Sequence, residues 1–591
     1  MPVVTLDKAD LYERLGKKYT RDEFDQLCFE FGIELEEDSD DEPPVTVDGV
    51  PERPTIKIDI PANRYDLLCL EGIALALNIF LEKETTPNYK IVQPPDGQKH
   101  VLTIDPETSQ IRPYAAAAVL RGVKFDKRRY DSFIALQDKL HANLCRARSL
   151  VAIGTHDLST IKGPFTYEAP KPADIKFVPL NQTKEMDGNE LMQFYSEHRI
   201  LSKFLPLIRD SPVYPVIYDA DHTVCSLPPI INSNHSKITL DTRDIFIECT
   251  ATDQTKLEIV LNIVVAMFSQ YAEEPFTVEA VEIKSEHNGC SRTTPSIAAR
   301  KHEAEISYIN SCTGLDQSAE TIVKQLARMS MNAKHLGGDK VEVSVPCTRA
   351  DILHQCDIME DVAIAYGYNN LAKTVPSTAT VGQPLPINKL ADIIRKETAM
   401  AGFTECMPLI LCSREENFAW LRKTDDSMAV SLANPKTVEY QIARTSLLPG
   451  CLKTIRENRK HALPIRVFEV SDVVFKNMQL ERRAHNQRNF CAVVASNTAN
   501  FETIHGLLDR VMKMVSVKLV KKSSTESGYW IEEGDDATFF PGRNAYIMLR
   551  TKQDGEGERI GVFGALHPEV MQKFDLPLAA SALELNVEKL L

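Results

Sequence analysis

The fold of this chain is decided by the stretch Val345-Pro-Cys-Thr-Arg349-Ala-Asp351-Ile-Leu-His-Gln-Cys-Asp357-Ile-Met-Glu360-Asp361-Val-Ala-Ile-Ala-Tyr-Gly367-Tyr. Its pattern predicts the end of a strand, a polar turn and a helix that stops at a glycine. Asp351 stands at the predicted N-cap, where its carboxylate would accept hydrogen bonds from free backbone amides. The stretch therefore predicts a strand–turn–helix unit.

A weaker copy of this unit lies near the N-terminus. There Ile56-Lys-Ile-Asp-Ile60 alternates apolar and polar residues, and Pro61-Ala-Asn-Arg64-Tyr-Asp66 leads into a helix. Arg64 and Asp66 align with Arg349 and Asp351 at one constant offset, which indicates an internal repeat and two related modules. The copies differ in their helices, because Gly72, Leu75 and Ala76 stand where the second copy has Asp357, Glu360 and Asp361.

The acidic residues of the second copy form the first candidate site: Asp351, Asp357, Glu360 and Asp361. The last three are spaced i, i+3 and i+4, so one helical face carries three carboxylates that repel each other. A set of oxygen ligands of this kind suits Mg²⁺ or Ca²⁺. The alternative is a cap followed by a solvated acidic face that pairs in part with Arg349. The spacing leaves both interpretations open.

The composition of the whole chain limits its class. Its 591 residues predict several domains at about 100–200 residues each. No apolar run approaches the roughly 18 residues of a membrane span, and the charged N-terminus does not resemble a secretory signal. The 13 cysteines are scattered and form no CxxC pair, which predicts free thiols, no disulfide framework and a cytoplasmic location without membrane attachment.

The formal net charge of −15 bears on nucleic-acid binding. A protein that binds by non-specific phosphate contact is expected to be basic, so this chain would need a local basic patch or a partner. The charge also disfavours the interpretation that the two repeat modules are free-standing nucleic-acid binders.

Pattern and composition predict an α+β multidomain chain. Residues 1–90 form an N-terminal module with an acidic loop at 36–44, and residues 91–275 form a larger α+β domain. Residues 276–302 are predicted to be a linker, 303–380 the second repeat module with the acidic site, and 385–591 a final α+β domain. Helices are predicted at 20–32, 130–144, 253–271 and 388–401 from their caps and apolar stripes.

The larger domain holds a second candidate site. His156 and Asp157 follow a predicted strand, and Glu248 lies on another strand of the same domain. A histidine and a carboxylate that face one cleft could orient a water molecule for hydrolysis. The alternative is a turn residue and an ordinary strand glutamate, since polar residues are common at strand ends. No P-loop, dinucleotide-binding fingerprint or zinc signature occurs in the sequence.

Several long motifs in order carry a resemblance that covers almost the whole chain. They are Asp59-Ile-Pro-Ala-Asn-Arg-Tyr-Asp-Leu-Leu-Cys-Leu-Glu-Gly72, Gly154-Thr-His-Asp-Leu-Ser159, Pro228-Pro-Ile-Ile-Asn-Ser-Asn-His-Ser236, Thr348-Arg-Ala-Asp-Ile352, Glu360-Asp361 through Gly367-Tyr-Asn-Asn370, Arg444-Thr-Ser-Leu-Leu-Pro-Gly450 and Gly564-Ala-Leu-His-Pro568. With these motifs the chain resembles the β subunit of phenylalanyl-tRNA synthetase, of the cytosolic archaeal–eukaryotic type.

The resemblance implies a role in a larger enzyme. The family works as an (αβ)₂ heterotetramer that charges tRNA(Phe) with phenylalanine, using Mg²⁺ and ATP that is bound mainly by the α subunit. Its β chain carries a B3/B4-type editing domain, here 91–275, that hydrolyses mischarged Tyr-tRNA(Phe). The resemblance places editing on Glu248, with His156 and Asp157 at the pocket. It places Mg²⁺ on the four acidic residues of the second module.

The remaining modules follow from the same resemblance. Residues 1–90 are B1-like, 303–380 B5-type and 385–591 a B6/B7-like, class II synthetase-like antiparallel sheet with helices that has lost catalysis. The segment from Gly561 to Leu591 contains no arginine, although class II chemistry needs arginines for ATP phosphates, which agrees with lost catalysis. The alternative function is a non-catalytic scaffold or tRNA-binding subunit whose editing site has decayed.

Overall fold

The structure of the chain is a computed structural model that describes residues 2–41, 46–47, 50–51, 53–94, 97–375, 377–378, 381–552 and 555–591. It divides into two compact units, Met1–Val375 and Pro376–Leu591. The first unit holds both repeat modules and the large domain. Among the described residues, no helix has the length and apolar character needed to cross a lipid bilayer.

The N-terminal module is a three-stranded antiparallel sheet with three helices. Its elements are β1 (Val3–Asp7), α1 (Lys8–Leu15), α2 (Arg21–Phe31), β2 (Glu34–Asp38), β3 (Thr46–Val47), β4 (Val50–Pro51), β5 (Thr55–Asp59) and α3 (Leu70–Phe80). Helix α2 confirms its sequence signals. Thr20 and Glu23 form a reciprocal capping box, and Gly32 closes the helix with a φ of +91°, a conformation that glycine adopts easily.

The acidic segment after α2 is more regular than predicted. Residues 36–38 belong to strand β2, and Ser39–Asp41 forms one 3-10 turn. Asp38 is buried, and Lys8 Nζ donates to both of its carboxylate oxygens at 2.8 and 2.7 Å. This opposite charge comes from a distant part of the sequence, whereas the acidic run considered alone predicts a solvated loop. The remainder of the predicted loop, 42–44, lies outside the described residues.

The large domain is built on an 11-stranded sheet. Its elements are β6 (Lys90–Val92), β7 (Val101–Ile104), β8 (Tyr114–Leu120), α4 (Lys127–Ala142), β9 (Val151–Asp157), β10 (Phe165–Glu168), β11 (Lys176–Phe177), β12 (Met186–Asp187), α5 (Gly188–Phe194), β13 (Val216–Tyr218), β14 (Val224–Leu227), β15 (Ile231–Asn232), β16 (Ile245–Ala251), α6 (Gln254–Phe268), β17 (Thr277–Lys284) and β18 (Arg292–Thr294). The strand order is β15-β14-β13-β10-β7-β17-β8-β16-β9, and β6 and β18 pair with β17.

The predicted linker at 276–302 is wrong over most of its length. Strand β17 pairs with β7 and β8 near the middle of the sheet, and β18 pairs with β17. The residues between Thr277 and Ile283 are buried except for Glu282. The polar stretch near Ser285, which suggested a linker, is the turn that joins these two strands. The large domain therefore extends to Thr294.

The second repeat module confirms the predicted internal repeat. Its elements are β19 (Arg300–Glu305), α7 (Ile306–Thr313), α8 (Ala319–Arg328), β20 (Asn332–Gly337), β21 (Lys340–Val345) and α9 (Gln355–Tyr366). Apart from the short β3–β4 pair, both modules run strand, helix, helix, strand, strand, helix. In both sheets the last strand lies in the middle, with orders β1-β5-β2 and β19-β21-β20.

The two repeat modules pack together rather than standing alone. Gly32 at the end of α2 lies against Ile364 of α9. Arg328 of α8 donates to the Phe80 carbonyl at 3.0 Å and to the Ala365 carbonyl at 2.6 Å. Side chains of both modules and of α4 and α6 share one continuous apolar core. This shared burial argues against the interpretation of the modules as free-standing binders.

The C-terminal unit is a seven-stranded sheet with helices on both faces. Its elements are α10 (Pro386–Met400), β22 (Thr404–Glu405), β23 (Leu411–Cys412), α11 (Arg414–Asn417), β24 (Ile442–Ala443), α12 (Leu448–Glu457), β25 (Ile465–Lys476), β26 (Ala484–Ser496), α13 (Phe501–Met514), β27 (Gly528–Glu533), β28 (Phe539–Arg550), β29 (Glu558–Leu566), α14 (Pro568–Lys573) and β30 (Ala579–Asn586). The order is β22-β25-β26-β30-β29-β28-β27, antiparallel except for the parallel pair β22–β25. This sheet confirms the predicted fold class.

Candidate functional site

Glu248 lies in the middle of β16, between β8 and β9, opposite Ala117 and Gly154. The residue is 1% exposed. Ser226 Oγ of β14 donates a hydrogen bond to Glu248 Oε1 at 2.7 Å. Glu248 Oε2 is buried and has no hydrogen-bond partner among the described residues. A buried carboxylate oxygen in this state is costly unless a ligand or water donates to it.

Gly154 makes room for this carboxylate. A Cβ atom at position 154 would lie 2.1 Å from Glu248 Oε1, closer than any side chain tolerates. The strand therefore needs glycine here for space rather than for an unusual backbone angle. The glycine of the motif Gly154-Thr-His156-Asp157 was the sequence feature that marks this site, although the sequence prediction assigned the function to the last two residues of the motif.

His156 is completely buried beside Glu248. Its Nε2 lies 3.8 Å from Glu248 Oε1, and its Nδ1 lies 2.8 Å from Ser236 Oγ. The structure therefore brings together the histidine and the glutamate that the sequence suggested. A cavity of about 800 Å³, described below, opens beside Glu248, but His156 does not line it. His156 therefore contacts Glu248 rather than a bound molecule.

Asp157 does not join this cluster. Its Oδ1 accepts hydrogen bonds from the Ser159 backbone N–H at 3.0 Å and from Ser159 Oγ at 2.6 Å, and its Oδ2 accepts one from Thr242 Oγ1 at 2.6 Å. It caps the 3-10 turn Leu158–Thr160 and is absent from the cavity lining. The prediction that Asp157 belongs to the pocket is therefore wrong, because the capping role uses both of its oxygens.

A cavity of about 800 Å³ opens beside Glu248. It lies between α4, β9 and the segment that includes β15, a neighbourhood in which Asn232 Nδ2 donates to the Thr155 carbonyl at 3.3 Å. Sequence reasoning missed most of its polar lining, because these residues are far apart in the chain. Polar lining residues include His141, Arg148, Thr155, Asn232, Lys237 and Glu248.

Burial lowers the pKa of two of these polar residues, His141 and Arg148. His141 Nε2 accepts a hydrogen bond from the Ile153 N–H at 2.9 Å. Burial, with the nearby charges of Arg148 and Arg112, lowers the pKa of His141 to about 3. The imidazole is therefore neutral at pH 7 and acts as an acceptor. Arg148 donates to the carbonyls of Pro229 and Ile230 at 3.2 and 3.1 Å, and burial lowers its pKa.

The acidic residues of the second module are organised around a buried arginine. Arg349 is 1% exposed, and its Nε and Nη2 donate to Asp351 at 3.0 and 2.8 Å. Arg349 Nη2 also lies 2.7 Å from Asp361 Oδ2. Burial opposes ionisation, yet Arg349 holds the pKa of Asp351 below its usual value. Burial raises the pKa of Asp361 while Arg349 acts in the opposite direction.

The cap of α9 differs from the prediction. His354 is the N-cap, and its Nδ1 accepts from the Cys356 N–H at 3.2 Å. Asp357 Oδ2 accepts hydrogen bonds from the backbone N–H groups of Leu353 and His354, both at 2.8 Å. Asp351 is thus an ion-pair partner rather than the cap, since the turn continues for three more residues.

These contacts do not form a preformed metal site. Asp351 and Asp361 share a guanidinium, Asp357 caps the helix and Glu360 is exposed. Among the described residues, no group of three or more histidine, cysteine, aspartate or glutamate side chains could hold a metal ion. The four residues as placed therefore do not fit Mg²⁺, because a cation already compensates two of them.

The C-terminal sheet carries its own buried acidic network. Arg444 Nη2 lies 2.7 Å from Glu469 Oε1. Glu584 accepts hydrogen bonds from Ser446 Oγ at 2.5 Å, from the Leu447 N–H at 2.9 Å and from Asn489 Nδ2 at 2.9 Å. The motif that begins at Arg444 therefore connects a turn to the sheet through the carboxylates of Glu469 and Glu584.

Comparison with protein families accounts for most of the chain. Residues 371–587 match the family described as Phenylalanyl tRNA synthetase beta chain CLM domain, and residues 1–83 match the Phe-tRNA synthetase beta subunit B1 domain. The B3/4 domain matches residues 110–272, and the tRNA synthetase B5 domain matches residues 302–368.

Whole-chain relatives agree with these matches. A Schizosaccharomyces pombe protein named Phenylalanine--tRNA ligase beta subunit is 58% identical over 99% of both chains. A Saccharomyces cerevisiae protein of the same name is 53% identical over 100% of both. The crystal structure of an N-terminal fragment of the phenylalanyl-tRNA synthetase beta subunit from Pyrococcus horikoshii is 28% identical with a TM-score of 0.55, and the match covers 62% of this chain and 99% of the fragment.

Proposed function

Because this chain belongs to the family of phenylalanine–tRNA ligase β subunits, we propose that its large domain removes tyrosine from mischarged Tyr-tRNA(Phe). The chain is part of an aminoacyl-tRNA synthetase. In the proposed reaction, water attacks the ester carbonyl that joins tyrosine to the 3′ end of the tRNA. The products are free tyrosine and uncharged tRNA(Phe).

One observation carries this proposal: Glu248 Oε2 is a buried acceptor without a donor among the described residues, beside a cavity of about 800 Å³. The phenolic hydroxyl of tyrosine is a donor of the kind that this oxygen lacks. Ser226 holds the other carboxylate oxygen, and Gly154 leaves the space in which the carboxylate sits. Glu248 is therefore proposed to recognise the tyrosine hydroxyl, with His156 as a positioning residue behind it.

The same arrangement would spare the correct product. Phenylalanine differs from tyrosine by one hydroxyl, and an apolar pocket rejects an added hydroxyl by only about 10²-fold. A site built to bind that hydroxyl rejects the analogue without it far more strongly, because its buried polar group is left unpaired. Phe-tRNA(Phe) in this cavity would leave Glu248 Oε2 without a donor and so resist hydrolysis.

The test is deacylation of Tyr-tRNA(Phe) by the αβ complex carrying Glu248→Ala or Glu248→Gln. Loss of a hydrogen bond to a charged group costs about 1.5–3 kcal/mol, so kcat/KM should fall by about 10 to 10²-fold. The preference for Tyr-tRNA over Phe-tRNA should fall with it, which a merely structural change would not produce. The exposed Glu282 of β17 supplies the control Glu282→Gln. Undiminished release of tyrosine by both Glu248 variants would overturn the assignment of Glu248, whereas no release by the wild-type complex would favour a scaffold with a decayed site.

The C-terminal unit is proposed to dock on the α subunit in an (αβ)₂ assembly. Three apolar residues in one short segment are strongly exposed: Met407 (90%), Leu409 (67%) and Ile410 (52%). We call them the 407–410 patch. Exposed apolar residues in a cluster mark interaction surfaces. The family membership implies an α subunit as the protein partner and tRNA(Phe) as the nucleic-acid partner.

ATP is proposed to bind mainly on the α subunit. Residues 561–591 contain no arginine, although class II chemistry needs arginines to hold the ATP phosphates. Mg²⁺ at Asp351, Asp357, Glu360 and Asp361 stays a prediction that the contacts of Arg349 weaken.

All 13 cysteines are free thiols, which supports the proposal of a cytoplasmic location.

A further inference from the structure

A second, smaller cavity of about 320 Å³ lies between the N-terminal module and the large domain. Its charged lining residues are Arg64, Arg146 and Lys256, and no acidic side chain of the described residues lines it. The neutral lining includes Asn143 and Tyr65, which offer further polar atoms. In a chain with a formal net charge of −15, a cavity whose charges are all positive is a local exception.

The three cations differ in how their charges are compensated. Arg64 is bonded to Asp66 through Nε at 2.9 Å and Nη2 at 2.8 Å. By contrast, Arg146 and Lys256 form no ion pair with any residue that the structure describes. Arg146 is exposed and Lys256 is partly exposed, so both can meet an anion that approaches the cavity from solvent.

The backbone that carries Arg146 is strained. Arg146, Ala147 and Arg148 have φ values of +46°, +50° and +64° in succession, a left-handed conformation that costs roughly 1–3 kcal/mol per residue. The buried Arg112 Nη1 holds this turn by donating to the carbonyls of Arg148 and Ser149 at 3.2 and 3.3 Å. Strain that the surroundings enforce in this way is concentrated at ligand-binding segments.

This turn contributes a lining residue to each of the two cavities. Arg146 lines the cavity of about 320 Å³, while Arg148, two residues later, lines the cavity beside Glu248. The two Cα atoms can be at most about 7 Å apart, given the reach of an extended chain. A strand of phosphates that leaves the larger cavity past Arg148 would pass close to Arg146.

We infer that Arg146 and Lys256 bind a backbone phosphate of the tRNA strand whose 3′ end enters the cavity beside Glu248. This inference rests on the proposed editing function for the identity of the strand. A free nucleotide or inorganic phosphate presents the same anionic chemistry. The connection through the Arg146–Arg148 turn favours the tRNA strand, because a free phosphate compound would not need the neighbouring cavity.

The test compares binding of tRNA(Phe) to the αβ complex between 50 and 200 mM salt. The variant Arg146→Gln with Lys256→Gln should bind more weakly, and the slope of log K against log salt should become shallower by about 0.7 for each phosphate lost from a single strand. The KM for deacylation of Tyr-tRNA(Phe) should rise while kcat stays unchanged. Arg146→Lys, which keeps the charge, should retain the wild-type slope.

The control is the double variant Lys99→Gln with Lys284→Gln. Both lysines are exposed residues of the same domain, and neither lines either cavity. A wild-type slope in the Arg146/Lys256 variant would overturn the inference, even if the enzyme edits normally. A raised KM for ATP, or displacement by inorganic phosphate alone, would assign the cavity to a small anion and also overturn it. If wild-type enzyme does not edit, the salt slope still tests the phosphate contact, so the two proposals fail separately.

Discussion

At the scale of single residues, Glu248 depends on neighbours that carry no charge. Gly154 contributes only the absence of a side chain, and Ser226 contributes one donor. The sequence placed Glu248 on a strand correctly. It could not identify Ser226, because β14 and β16 are not neighbours in the sheet, so their contact depends on the tertiary fold rather than on any local pattern.

Gly154→Ala is expected to impair editing without touching the substrate. The new methyl group would lie 2.1 Å from Glu248 Oε1, so the carboxylate must leave its position. We expect kcat/KM for Tyr-tRNA(Phe) deacylation to fall by about 10-fold or more, as for loss of a hydrogen bond to a charged group, while phenylalanylation by the complex is retained. Both rates are measured on one preparation.

A matched glycine controls for the substitution itself. Gly506 lies in α13, and a methyl group added there would meet no other atom within 4 Å. Replacing it with alanine should stabilise the helix by about 0.5–1 kcal/mol and leave editing unchanged. Normal editing by Gly154→Ala would contradict the assigned position of Glu248.

His141 should make stability depend on pH. Its pKa of about 3 in the folded chain lies below the value of about 6.5 for an unperturbed histidine. The unfolded chain therefore binds a proton that the folded chain does not, and the free energy of unfolding falls as the pH falls below about 6.5. The slope from this residue approaches about 1.4 kcal/mol per pH unit until about pH 3.

The variant His141→Gln isolates this contribution. Glutamine keeps an acceptor for the Ile153 N–H but does not titrate. Thermal unfolding of wild type and variant between about pH 7 and about pH 4.5, within the window set by the two pKa values, should show a shallower decline for the variant. Equal declines would show that His141 is protonated in the folded chain.

At the scale of elements, strand β21 and helix α9 are joined by the ion pairs of Arg349. The N-terminal copy has the pair Arg64–Asp66 in the corresponding turn, but no third carboxylate corresponds to Asp361, because Ala76 takes its place. The acidic helix is therefore an addition to a repeated scaffold. The sequence predicted this repeat from aligned residues, but not that Asp361 points inward to the shared arginine.

Arg349→Met is expected to destabilise the chain by about 3–5 kcal/mol, because it leaves Asp351 and Asp361 buried without their cation. Calorimetric unfolding of the complex measures the loss. The exposed Glu360 on the same helix gives the control Glu360→Gln, for which we expect a change within about 0.5 kcal/mol.

Chelation separates this role from the Mg²⁺ prediction. If Arg349 compensates the carboxylates, EDTA should leave the unfolding temperature of the wild-type complex almost unchanged. A large drop with EDTA, reversed by Mg²⁺ and absent in Glu360→Gln, would restore the metal assignment.

At the scale of the whole molecule, the 407–410 patch is expected to hold the α subunit. Leu409→Asp places a charge on a surface that would be buried by the partner, and desolvating an unpaired charge is costly. Co-expressed α subunit should no longer co-purify with this variant. Met478, 70% exposed elsewhere in the same unit, supplies the control Met478→Asp. Normal assembly of Leu409→Asp would place the α interface elsewhere.

The family, the order of modules, the internal repeat and most helix limits followed from the sequence alone. Apolar periodicity, capping pairs such as Thr20 and Glu23, and long motifs are local or linear properties that a sequence carries in full. For the same reason the sequence misjudged residues 277–294, since polar residues of a turn look like a linker until the strands pair.

Only the tertiary structure decided which partners each charged group has. Asp157 accepts a hydrogen bond from Thr242 and caps a turn, and Asp351 and Asp361 form ion pairs with Arg349. Glu248 Oε2 has no donor among the described residues and lies beside a cavity. The physical reason is that burial and pairing depend on residues far apart in the chain, as Ser226 and Glu248 or Arg146 and Lys256 are. A sequence shows that a carboxylate is present, whereas the fold determines whether its charge is already compensated.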